Sequence, residues 1–126
     1  MIYRFGIFDF EVESGQLRKH ARPVSLERQP ARVLAVLLAR AGELVSREEL
    51  RESVWGDTHV DFDRGLAYCL SQIRGALGDR SDNPTFIQTF PKRGYKFIAP
   101  VTIDAAVTVY SAPAADLKVS ATYSLG

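Results

Sequence analysis

With 126 residues, 46% of them hydrophobic and 25% charged, the chain reads as one globular domain able to bury a working core without staples. Its lone cysteine, Cys69, excludes an internal disulfide and fits a reducing cytoplasm, and the lack of any run of about 18 uncharged apolar residues excludes a membrane-spanning helix. The net charge is only +1, yet between residues 64 and 98 Arg64, Arg74, Arg80, Lys92, Arg93 and Lys96 stand against Asp79 and Asp82 alone, so one face of the C-terminal half either meets an anionic partner or is simply solvated.

The first residues, MIYRFGIFDFEVE, lack the basic start and long apolar stretch of a signal peptide. Residues 2–26 instead read as short strands, with Tyr3, Phe5, Phe8, Phe10 and Val12 near period two and Gly6 as a break. Ser14-Gly15 and His20-Ala21 are expected turns, and Pro23 places a last short strand, residues 22–26, at a sheet edge.

The period then changes. Pro30 suits a first helical position, Val33, Leu34, Leu37, Leu38 and Ala41 follow at helical spacing, and Gly42 is a natural C-cap. Ser46-Arg47-Glu48-Glu49 has the form of a capping box and starts a second helix through Leu50, Val54 and Trp55, stopped at Gly56. The third helix is the clearest, because Leu66, Leu70, Ile73 and Leu77 form one narrow stripe that ends at Gly78. After Asn83-Pro84 comes a hairpin, with residues 86–90 and 95–98 as strands and Pro91-Lys92-Arg93-Gly94 as a tight turn carrying two cations. Residues 102–126 form either two weak strands, at 107–110 and 117–119, or a linker.

The acidic stretch WGDTHVDFDRGL places Asp57, His59, Asp61 and Asp63 at alternate positions, as a metal-binding loop would. The spacing fails that test. Counted from Asp57, a calcium loop needs glycine sixth and a bidentate acid twelfth, where Phe62 and Tyr68 stand. A zinc site needs more His or Cys than His59 provides. The simpler use is capping of the third helix by Asp61 or Asp63. No nucleophile elbow, glycine-rich phosphate loop or metal motif appears, so neither an enzyme nor a cofactor is expected.

VSREELRESVWG, the spacing to LSQIRGALGD, and NPTFIQTFPKRGYKFIAPV together resemble the OmpR/PhoB-type winged-helix DNA-binding domain, in its one-component branch without a receiver domain, over about residues 5–101. The resemblance implies an α+β fold: an N-terminal antiparallel sheet, three helices forming a winged helix-turn-helix, and a C-terminal β-hairpin wing. It also implies that a domain at residues 1–101 binds double-stranded DNA as a transcriptional regulator. The third helix would enter the major groove and the wing would lie on the backbone or minor groove. Further partners it implies are RNA polymerase, through residues 57–63, and a second copy in a homodimer on DNA. With no receiver domain before the helices, phosphorylation in cis is not expected.

Opposite the apolar stripe of the third helix lie Arg64, Tyr68, Ser71, Gln72 and Gly75, with Ala67 and Arg74 flanking. Such a face can hydrogen-bond base edges and phosphates. The family's helix contacts fall on Arg64, Cys69, Ser71, Gln72 and Arg74, and its wing contacts on Thr89, Pro91 and Lys92, with Arg93 beside them. Cys69 is discounted because the helical wheel puts it at the core edge. The expected DNA-binding residues are therefore Arg64, Tyr68, Ser71, Gln72, Arg74, Thr89, Lys92 and Arg93, four of them phosphate-binding cations. The plain alternatives are a surface-covering Tyr68, an Arg74 paired with Asp79 or another acid, and a solvated Lys92-Arg93 turn. Well-known members carry basic or histidine residues at several of these positions, whereas Cys69, Ser71 and Gln72 are neutral and Pro91 replaces a common basic residue. A winged-helix protein-interaction module is the alternative function.

Overall fold

The computed structural model describes residues 1–56 and 61–104. Four strands open the chain: β1 (Ile2–Phe5), β2 (Phe8–Glu11), β3 (Gln16–Lys19) and β4 (Arg22–Val24). They form an antiparallel sheet in the order β4-β3-β2-β1-β8, where β8 is Thr102–Asp104. The register puts Tyr3 opposite Phe10, Phe5 opposite Phe8 and Phe10 opposite Leu17, so the period-two side chains all bury on one face. Pro23 lies on the edge strand as expected, where its missing N–H breaks no ladder bond.

Helix α1 (Arg28–Ala39) covers that face with Val33, Leu34, Leu37 and Leu38. It starts two residues before Pro30, with Glu27 as the N-cap residue. Proline is tolerated one turn in because the first four N–H groups of a helix have no intrahelical acceptor. The helix also ends earlier than expected, at an Arg40 cap. Gly42, at φ 84°, instead turns the chain so that its N–H donates to the Phe97 carbonyl at 2.9 Å.

The capping box forms fully: Ser46 Oγ accepts from the Glu49 N–H at 3.0 Å, and the Glu49 carboxylate accepts from the Ser46 N–H at 2.9 Å. The Ser46 amide, and after it the Arg40 guanidinium, hold the Glu49 carboxyl below its usual range. Helix α2 (Arg47–Leu50) widens at once into a π-helical turn, Arg51–Trp55, that stops at Gly56. The Trp55 ring meets Phe62 edge-on at 5.1 Å, pinning both sides of the connector before α3 (Phe62–Leu77). Asp61 caps α3 by accepting from the Arg64 N–H, and Gly78 closes it in the left-handed conformation. Leu66, Leu70, Ile73 and Leu77 are all buried, against the same core as α1.

The wing strands β6 (Ile87–Phe90) and β7 (Gly94–Phe97) join a strand that the residue pattern did not announce, β5 (Leu44–Ser46), in the order β5-β7-β6. Phe5, Phe8, Phe86 and Phe97 link the two sheets, with ring centroids 5.1 Å apart for Phe5–Phe97 and 5.6 Å for Phe8–Phe86. Strand β8 lies beyond the expected boundary at Val101 and pairs with β1, so the fold reaches Asp104. The weak strands expected at 107–110 and 117–119 lie outside the described residues. Among the described residues no helix is long and apolar enough to cross a membrane.

Two glycines make opposite predictions. A Cβ on Gly94, at φ 154°, would sit 2.1 Å from the Val45 carbonyl oxygen, because β5 and β7 approach there backbone to backbone. Gly94→Ala is expected to lose about 3 kcal/mol of stability in urea unfolding. Gly75 lies on the exposed face of α3 with nothing within 4 Å of its would-be Cβ, so Gly75→Ala is expected to gain about 0.5–1 kcal/mol.

Candidate nucleic-acid interface

The interface is built outward from the wedge between α3 and the wing. On the outer face of α3, Arg64, Tyr68, Ser71 and Gln72 are all exposed, as their helical phase predicts. The Arg64 side chain is 87% exposed and lies 3.7 Å from its own cap, Asp61. Cys69 is buried, and burial, with Glu27 nearby, pushes its thiol pKa up to about 11. It therefore stays a neutral thiol facing the core, as the wheel indicates.

Arg74 makes its hydrogen bonds to the wing. Its guanidinium turns into the fold and donates from one nitrogen to the Ile87 carbonyl at 3.0 Å and to Thr89 Oγ1 at 2.8 Å. Its Nε is buried without a hydrogen-bond partner. The acid pairing with Asp79 is not formed either, because Asp79 has other work. Its carboxylate accepts the N–H groups of Thr85, Phe86 and Ile87 at 2.7, 3.2 and 2.9 Å. Arg74 and Asp79 thus hang the start of β6 on the end of α3, and Thr89 spends its oxygen on the same brace.

Beyond Thr89 the chain reaches the wing tip. The Arg93 N–H donates to the Phe90 carbonyl at 2.9 Å around Pro91 and Lys92, and Lys92 takes φ 62°, the signature of a type II turn with proline at its first corner. Lys92 and Arg93 are both exposed. The Arg93 carbonyl in turn accepts from the Arg47 N–H at 3.4 Å, tying the tip to the start of α2. The Arg47 side chain pairs with Asp63 and lies over the Phe62 ring at 5.5 Å.

Sequence reasoning missed three participants. In the sequence Arg47 marks only a capping box, and Asp79 only an acid that could pair with Arg74. Glu27 had no signal at all, yet its carboxylate accepts from the Tyr68 hydroxyl at 2.8 Å. The residues that the fold leaves outward are Arg64, Tyr68, Ser71 and Gln72 on α3 and Lys92 and Arg93 on the wing, while Arg74 and Thr89 are turned inward to hold the two together.

The brace can be measured. In a double-mutant cycle of Arg74→Met and Thr89→Val, each single variant is expected to lose about 1 kcal/mol or more in chemical denaturation, with a coupling of about 1 kcal/mol between them. Strict additivity would show that the bond contributes nothing to stability. Cys69 offers a simpler check: a thiol reagent at pH 8 is expected to label the native chain far more slowly than the urea-unfolded one.

Comparison with known proteins agrees with this geometry. Residues 21–97 match the family described as "Transcriptional regulatory protein, C terminal". The cholera toxin homolog transcriptional activator of Vibrio parahaemolyticus is 33% identical over 100 residues, covering 74% of this chain and 34% of that protein. The transcriptional activator CadC of Escherichia coli is 34% identical over 87 residues, covering 68% of this chain and 17% of CadC. The chain therefore spans about a third or less of these relatives. The solved DNA-binding domain of E. coli CadC superimposes with a TM-score of 0.67 at 30% identity, over 80% of this chain and 94% of that one. The Klebsiella pneumoniae RstA DNA-binding domain, in complex with the RstA box, gives 0.67 at 26% identity, over 77% and 96%. With its sheet, its three helices and its hairpin wing, the chain belongs to the transcriptional regulatory protein C-terminal family, the OmpR/PhoB-type winged-helix DNA-binding domains.

Proposed function

We propose that the chain binds specific double-stranded DNA sites as the DNA-reading part of a transcriptional regulator, with α3 in the major groove and the wing tip on the adjacent backbone or minor groove. The observation that carries this is the outward set on a braced frame: Arg64, Tyr68, Ser71 and Gln72 on α3, with Lys92 and Arg93 on the wing. Arg64, Lys92 and Arg93 would neutralise phosphates. Tyr68, Ser71 and Gln72 would meet base edges, glutamine matching adenine and serine adapting to either donor or acceptor. Arg74 and Thr89 act as positioning residues, because one guanidinium nitrogen of Arg74 donates to the Ile87 carbonyl and to the Thr89 hydroxyl and so ties α3 to β6. The function needs no catalytic step and no cofactor. A cytoplasmic location follows from the DNA target.

Two partners belong to the same proposal. A homodimer on DNA would match two half-sites. RNA polymerase would meet the connector at residues 57–63, whose described end presents Asp61 and Asp63 at the start of α3. This is supported by the family resemblance and by the connector's acidic sequence.

The inward turn of Arg74 reduces the expected phosphate contacts from four to three. A fluorescence-anisotropy titration of the chain with mixed-sequence duplex DNA is expected to give log K against log salt a slope of about −3. The Lys92→Ala/Arg93→Ala double variant is expected to weaken binding and flatten the slope to about −1. Absence of binding at low salt would refute DNA binding by this chain alone and favour the protein-interaction alternative, for which the neutral Ser71 and Gln72 are the supporting observation.

A further inference from the structure

Tyr68 and Glu27 meet across a sequence separation of 41 residues. The Tyr68 hydroxyl donates to Glu27 Oε2 at 2.8 Å. A phenol has one proton, so the oxygen that remains available can only accept. Glu27 is the N-cap residue of α1, yet its side chain makes no cap bond. An ionised carboxylate likewise only accepts, and here it is not consumed by the helix end. Both residues are exposed, Tyr68 at 47%, beside Ser71 and Gln72 on the outer face of α3. The hydrogen bond to Glu27, followed by burial, raises the Tyr68 pKa above its ordinary value, so the proton stays in place at neutral pH.

The chemistry of the major groove gives this arrangement a consequence. Cytosine N4 and adenine N6 are amino donors there, whereas guanine O6 and thymine O4 are acceptors. A keto oxygen placed against the Tyr68–Glu27 pair would face oxygens with no proton between them. Adenine also carries the acceptor N7 beside its amino group, which a nearby carboxylate disfavours, while cytosine offers the amino group alone.

We propose that Tyr68 and Glu27 form an acceptor-only element that selects an exocyclic amino group, and with it cytosine, at the base facing Tyr68; this rests on the DNA-binding function proposed above. Glu27 is a positioning and polarity-setting residue, and Tyr68 is the base-reading one. Neither residue belongs to the buried core, so both can be replaced without a cavity.

The test is selection of bound duplexes from a random pool by the full chain, run in parallel with Tyr68→Phe and Glu27→Ala. The wild-type consensus is expected to contain one position that prefers cytosine over guanine and thymine by roughly tenfold. Tyr68→Phe is expected to flatten that position. Glu27→Ala frees the hydroxyl proton for donation and is expected to admit thymine or guanine there, leaving the other positions unchanged. An identical consensus for all three proteins, or a variant-sensitive position that prefers guanine or thymine in the wild type, would overturn the proposal while leaving DNA binding standing. Failure of the wild type to enrich any duplex, or to bind DNA at low salt, would overturn the DNA-binding function and this inference together.

Discussion

The hold that α3 keeps on the wing is the constraint on which the whole reading surface depends. A hairpin of four-residue strands has little independent stability in water. Here Asp79 gathers three successive amides at the start of β6, and Arg74 takes the Ile87 carbonyl and the Thr89 hydroxyl one turn earlier. Those bonds fix the angle between the helix that would read bases and the strand that carries Lys92 and Arg93. Charge-assisted bonds to backbone groups are the stronger kind, and partial burial strengthens them further. On the other side β5 clamps β7, with Gly94 permitting the close approach. The wing is thereby held from two directions before any nucleic acid arrives, and less ordering entropy remains to be lost on binding.

The rest of the core transmits the same rigidity. The Phe5, Phe8, Phe86 and Phe97 cluster bridges the N-terminal sheet and the wing sheet, so a shift of one would unpack rings in the other. Helix α1 lies between the N-terminal sheet and α3, and its Glu27 reaches the outer face of α3 through Tyr68. The N-terminal sheet is therefore more than a platform: the helix that follows it brings a carboxylate to the outer face of α3.

Features governed by local chemistry were legible in the sequence. The apolar stripe of α3, the Ser46–Glu49 capping box, the Asp61 cap and the stop at Gly78 each depend on residues within about one turn, and all four form. Features governed by distant partners were not. Strand β5 is three residues long, too short to show a period, and exists because β7 pairs with it from some fifty positions away. Strand β8 exists because β1 offers an edge. Arg74 was ambiguous for a stricter reason. Its wheel position lies between core and solvent, and only the placement of β6 decides which way a long side chain turns. The Tyr68 contact was invisible because nothing local marks Glu27 as its acceptor.

The commitments inside the fold also determine how the domain must work as a DNA reader. With the three phosphate contacts proposed above, binding would weaken by about 40-fold between 50 and 200 mM salt, against roughly 10³–10⁵ for proteins with six to ten phosphate contacts. The smaller electrostatic term means weaker non-specific binding at physiological salt. A larger share of the affinity would then come from neutral groups at base edges, the role proposed for the exposed Tyr68, Ser71 and Gln72. Such a domain would discriminate between sites but hold any one of them briefly. Linking two copies on adjacent half-sites restores occupancy through effective concentration, without adding charge. A sparsely charged reading face and the proposed assembly on DNA would thus be two sides of one design: the weaker the grip on the phosphates, the more the regulator would gain from a second copy beside it.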